Sequence, residues 1–223
     1  MFFFPVGCVI FVLFALFLPL LLLLLFFDVV TFGFERLGIP SQAAVALLIA
    51  MLVGSLINIP VSRRTVEYSR ERRFGWFDVP VRHQYGLAVN LGGAIIPTGL
   101  SVYLLFQAPF YPTLIATAVM IVVCKFLTRP VPGRGLAIPM LVPPLLATGL
   151  ALVLGGEAAP QVAFISGVLG TLIGGDLLNL GKARKLGAGI VSIGGAGVFD
   201  GIFLIGIFSV LLTAIPPLLG ISW

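Results

Sequence analysis

The sequence predicts an all-α, polytopic transmembrane helix bundle of about seven spans, with a glycine-rich non-helical segment before the last span. Three observations carry this. The 223 residues are 60% hydrophobic and 9% charged, with a mean hydropathy of +1.20, whereas a soluble domain carries roughly 25% charged residues. Apolar stretches of spanning length, about 20 residues, recur along the whole chain. Twelve of the 13 basic residues gather in three short connections, Arg36 being the exception.

The expected spans lie near residues 3–27, 43–61, 86–107, 111–128, 136–155, 161–180 and 198–218. The first is apolar from Met1 to Phe27, with no preceding Lys or Arg and no small-residue cleavage site. It is too long for the apolar region of a signal peptide, about 7–15 residues, so it reads as a retained span. The basic connections follow spans two, four and six. They hold Arg63, Arg64, Arg70, Arg72, Arg73 and Arg82; then Lys125, Arg129 and Arg134; then Lys182, Arg184 and Lys185. With seven spans all three fall on one side, which the positive-inside rule makes the cytoplasm. The N-terminus is then inside and the C-terminus outside, and a prokaryotic cell membrane is the expected location. The net charge of +5 thus reflects topology, and no nucleic-acid partner is expected.

The chain reads as one transmembrane domain, residues 1–223. Within it, residues 62–85 form a basic cytoplasmic loop whose Arg72, Arg73, Phe74, Trp76 and Phe77 suit contact with lipid headgroups. Cys8 and Cys124 lie in apolar runs, and His83 is the sole histidine. Neither residue type has metal-ligand spacing, so no metal and no cofactor are expected.

From Leu186 to Leu218 there are 33 residues, too many for one span, and residues 187–197 include five glycines. A continuous helix there is disfavoured, so the last span is expected to start near Val198. Non-helical backbone at membrane depth must line protein or a wet cavity. A short internal echo accompanies this. Gly54-Ser55-Leu56-Ile57 resembles Gly170-Thr171-Leu172-Ile173, and Leu91-Gly92-Gly93-Ala94 resembles Ile193-Gly194-Gly195-Ala196. Both pairs would run in the same direction.

Six of the eight acids fall in expected loops; Asp176 and Asp200 do not. An aspartate inside a membrane costs about 2.5–3.5 kcal/mol on insertion scales, so both must face the bundle interior. They stand at the cytoplasmic ends of consecutive antiparallel spans. Two carboxyls at similar depth with no cation between them share one proton. One can then act as general base on water while the other donates to a carbonyl, which is what metal-free amide hydrolysis needs. Gly194, Gly195 and Gly197 would bind an extended substrate through the backbone. Asn179, one helical turn after Asp176, would either support its carboxyl or cap the helix near the loop. Asn58 and Asn90, at the cytoplasmic ends of spans two and three, are expected to hydrogen-bond between helices.

Gly175-Asp176-Leu177-Leu178, and Gly195-Ala196-Gly197 leading through Val198-Phe199 to Asp200-Gly201, resemble the intramembrane aspartyl proteases of the presenilin and signal peptide peptidase type. In that family the first Asp lies in the sixth span and the second in a Gly-x-Gly-Asp motif opening the seventh. Here Val198 and Phe199 separate the glycines from Asp200. The resemblance covers residues 165–212 and implies cleavage of transmembrane peptides by an Asp176/Asp200 dyad. The whole chain also looks like a group of bacterial and archaeal integral membrane proteins sharing Gly-Gly-Ala-Gly-x-Phe-Asp-Gly, a likeness that implies no activity. Two alternatives stay open: a proton- or cation-coupled small-solute transporter using the same aspartates, and a non-enzymatic membrane scaffold.

Overall fold

The computed structural model describes residues 6–73, 77–131, 135–185, 190–195 and 201–218. Helices dominate. In chain order they are α1 (Val6–Arg36), α2 (Ser41–Gly54), α3 (Ile96–Leu105), α4 (Phe110–Leu127), α5 (Val142–Leu154), α6 (Ala159–Gly170), α7 (Leu180–Lys185), α8 (Gly201–Leu212) and α9 (Ile215–Leu218). Two π-helical segments interrupt them: Leu91–Ile95 leads into α3, and Thr171–Asp176 continues α6. A 3-10 turn, Leu177–Asn179, then joins α7.

Among the described residues, three helical stretches are long and apolar enough to cross a membrane: Phe17–Arg36, Phe110–Leu127 and Gly156–Ala183. Four more apolar helices, Ser41–Gly54, Leu91–Leu105, Val142–Leu154 and Gly201–Leu212, sit where spans are expected but are shorter. At 1.5 Å per residue they reach only about 18–23 Å, less than a hydrocarbon core of about 30 Å.

The all-α expectation is corrected here, because the connections contain strands. β1 (Asn58–Arg73) and β2 (Phe77–Asn90) form an antiparallel hairpin in most of what was expected as the 62–85 loop, and take the ends of the expected spans 43–61 and 86–107. β3 (Arg129–Val131) and β4 (Gly135–Ala137) form a second, short hairpin. β5 (Ile190–Ile193) pairs parallel with β2, Gly86 opposite Ile190 and Val89 opposite Ile193, giving the order β1-β2-β5. The physical reason is residue type. Stretches such as Val66-Glu67-Tyr68-Ser69 alternate β-branched or aromatic residues with polar ones, the period-2 pattern of a strand. Their charge drew the loop reading instead.

α6 is the centre. Ten of its residues, from Ala159 to Gly170, are buried on all sides, as an all-round apolar helix should be. α3, α4, α5 and α8 pack around it. Close approach depends on small residues, since lipid gives no hydrophobic drive between helices. Gly167 faces Ser209 on α8, Gly170 faces Met120, and Gly174 leaves no room for a Cβ against the Ile121 carbonyl. α1 closes the other side through Val30, Phe34 and Leu37, with Phe34 stacked on Phe203 of α8 at 6.4 Å.

The end of α2 meets the first π segment backbone to backbone. A Cβ on Gly92 would overlap the Met51 carbonyl and the Ser55 nitrogen. Gly92→Ala is therefore expected to destabilise the fold by about 1–3 kcal/mol or more, because the obstacle is main chain. Gly99→Ala in α3 meets nothing within 4 Å and should be neutral or stabilising by up to about 1 kcal/mol. Unfolding of the detergent-solubilised variants measures both.

Candidate active site

The site lies where the α6 assembly, the first π segment and β5 converge. α6 runs regularly to Gly170 and then widens into the π segment Thr171–Asp176, whose Gly174 presses on α4. A π turn displaces carbonyls from their ordinary i→i+4 partners. Asn179, fully buried, meets them: its Nδ2 donates to Gly174 O at 2.9 Å and Gly175 O at 3.1 Å. The same amide reaches Lys125 O near the end of α4 at 3.2 Å. Asn179 thus pins the backbone on which Asp176 stands. The expected support of the Asp176 carboxyl is not what its amide does among the described residues, and its Oδ1 is buried without a partner.

Asp176 closes the π segment and is partly buried. Its Oδ2 accepts a hydrogen bond of 2.8 Å from the Gly194 amide, a charge-assisted bond when the carboxyl is ionised. Gly194 and Gly195 have φ of +81° and +79°, a region that favours glycine. A Cβ at Gly194 would also collide with Ala94. Two left-handed residues in succession stop β5 and turn the Gly194 N–H toward Asp176. The glycine-rich stretch is therefore non-helical where it is described, first as strand and then as this turn. Asp200 and Gly197 lie outside the described residues.

A second polar cluster borders the first. Asn90 is fully buried at the end of β2. Its Nδ2 donates to Ser55 O at 2.6 Å and to Asn58 Oδ1 at 3.2 Å, while its Oδ1 accepts from Gly93 N at 2.7 Å. It caps the π segment as an N-cap Asn caps a helix. Asn58 Oδ1 also accepts from Ser192 Oγ at 2.7 Å, which ties β1 to β5 across the small Ala88 of β2. Asn58 and Asn90 thus bond to each other, but as paired residues of β1 and β2 rather than between two helices as expected. Ser192 escaped the sequence reading because nothing local marks it; only the parallel pairing of β2 and β5 brings it near. That pairing also brings Ile193 and Gly194, from the second echo segment, beside the first, Gly194 touching Gly93 and Ala94.

Among the described residues no three of His, Cys, Asp or Glu gather as a metal site. What the geometry offers is a carboxyl at the foot of a membrane helix, held by one main-chain amide at the end of a strand. Replacing Asn90 by Leu leaves Ser55 O and Gly93 N without their partner and is expected to cost about 1–3 kcal/mol. Asn58→Ala, at an exposed residue, should cost less than Asn90→Leu in the same denaturation measurement.

The chain was compared with known proteins. No curated protein and no solved structure matches it. A family profile described as "Protein of unknown function (DUF1614)" matches residues 52–212, a stretch that contains Asn58, Asn90, Asp176, Asn179, Ser192 and Gly194 and leaves out α1. The match covers well over half of the chain, which therefore belongs to the DUF1614 family.

Proposed function

We propose that this protein is an intramembrane aspartyl protease in which Asp176 and Asp200 share a proton and hydrolyse peptide bonds of membrane-embedded substrates. The observation that carries the reading is the Asp176 Oδ2 bond to Gly194 N at 2.8 Å. It sets a carboxyl against an extended, glycine-terminated segment that leads toward Asp200. Asp200 follows Gly194 by six positions, a tether of at most about 21 Å, and Gly201 opens α8, which packs on α6. One carboxylate takes the proton of an attacking water and the other, protonated, donates to the scissile carbonyl. β5 is the last strand in the order β1-β2-β5. An extended substrate would add to its outer edge by main-chain hydrogen bonds.

The same reading carries a topology. The seven apolar helical stretches are spans, the basic strand-bearing end faces the cytoplasm, and α1 begins there. The membrane is that of a prokaryotic cell.

One observation favours a second reading. A carboxyl that accepts a main-chain N–H also serves as an inert clamp between α6 and β5, which is the scaffold function. Asp176→Asn separates the two, because asparagine keeps the acceptor for Gly194 N but cannot exchange the proton. Under the protease reading, Asp176→Asn and Asp200→Asn each lower cleavage of transmembrane peptides in proteoliposomes by about 100-fold or more, with unchanged unfolding. A wild-type protein that cleaves no member of a transmembrane peptide panel, with variants equal to it in stability, would leave the scaffold reading.

A further inference from the structure

The short helices and the strands that follow them have complementary lengths. α2 has 14 residues, about 21 Å at 1.5 Å per residue. The strand residues Asn58–Val61 that continue it add about 13 Å at 3.3 Å per residue. On the return, Gly86–Val89 and the fifteen residues Leu91–Leu105 give about 35 Å by the same rises. Each composite matches a hydrocarbon core of about 30 Å with a modest tilt; neither helix does so alone.

The surface agrees with the lengths. Past the end of α2, Leu56 is 70% exposed and Val61 61%, with Ile57 and Ile59 exposed between them. The first charges come only at Arg63 and Arg64. Other elements carry the apolar surface round the same end: Phe126 in the last turn of α4, Leu141 before α5, and Leu177 and Leu178 after Asp176 are all exposed. Contiguous apolar surface of this kind needs an apolar cover. Lys125 lies within this band, where its long chain can snorkel outward, and Arg129 stands just beyond it.

We infer that lipid acyl chains cover the base of the sheet, so that the first rungs of β1 and β2 lie inside the hydrocarbon layer. Open strand edges are costly in lipid because each bare N–H goes unpaired, and the sequence lowers that cost at the β1 edge. Leu91 N donates to Ile57 O, which makes Asn58 opposite Asn90 a non-hydrogen-bonded pair and turns the main-chain groups of Asn58 and residue 60 outward. Residue 60 is proline, which has no N–H to leave bare. The register then shifts between Pro60 and Ser62 and again between Ser62 and Thr65, so the hairpin is re-aimed where the charges begin. Asp176 and Gly194, level with Asn90 through the parallel register, lie within the hydrocarbon layer as well.

The test uses spin labels on the full-length protein in nanodiscs, with Cys8→Ser and Cys124→Ala as background. Labels at Leu56 and Val61 are expected to collide with oxygen and not with a water-soluble nickel chelate, matching a label at the exposed Leu145 in α5. A label at Arg70 should show the reverse. Nickel accessibility at Val61 equal to that at Arg70 would overturn the inference. Wild-type protein gives a second readout: lipids carrying a diazirine on the acyl chain should crosslink to residues 56–61. Crosslinks confined to the helices would also overturn it.

Discussion

One side chain fixes where three parts of the chain meet. The buried Asn90 amide joins the Ser55 carbonyl just past α2, the first residue of β1 and the N-terminus of the π segment before α3. Its donors and acceptor are engaged within a protein interior, where an unpaired amide costs free energy comparable to a lost hydrogen bond. The rest follows from that position. β2 ends where Asn90 holds it, β5 takes its register from β2, and the turn after β5 delivers Gly194 to Asp176. Such a chain of dependence tolerates little displacement, because the backbones at Gly54, Gly92 and Gly194 are already in contact.

The two π segments perform related tasks at this junction. Each contains a Gly-Gly pair, each lies at the basic end of the bundle, and each is completed by an asparagine. Asn90 supplies an acceptor to the amide at the start of one; Asn179 supplies donors to the carbonyls near the end of the other. A π turn gives up regular helical bonding, and the side-chain amides restore the lost partners. What the chain gains is a wider turn that sets Asp176 facing β5.

Much of this was legible in the sequence, for reasons that can be named. Hydropathy located every apolar helix, since burial in lipid demands long apolar runs whatever the packing. Asp176 stood out because an acid in such a run is costly. The glycines of 187–197 announced non-helical backbone, and Gly194 and Gly195 adopt conformations that explain them. The strands were not legible by the same ruler. Ile57 to Val61 is as apolar as a helix end, and nothing in hydropathy says that these residues are extended. Beyond Arg63 the density of charge concealed a period-2 pattern. Asn179 had two roles open to it, support of the Asp176 carboxyl or capping near the loop, and its amide takes helix-end carbonyls because a π turn leaves them in want of donors. Ser192 needed tertiary information, since its partner is 134 positions away.

The parallel pairing of β2 with β5 bears on how the molecule is made. Gly86 waits for Ile190, so about a hundred residues must be synthesised and inserted before the sheet gains its third strand. Contacts so distant in sequence are late to form, because the intervening loop must first be closed. Until then Asp176 has no Gly194 amide to hold its carboxyl. A chain stopped short of β5 therefore lacks the main-chain contact that fixes this side chain, and that contact is among the last the fold acquires.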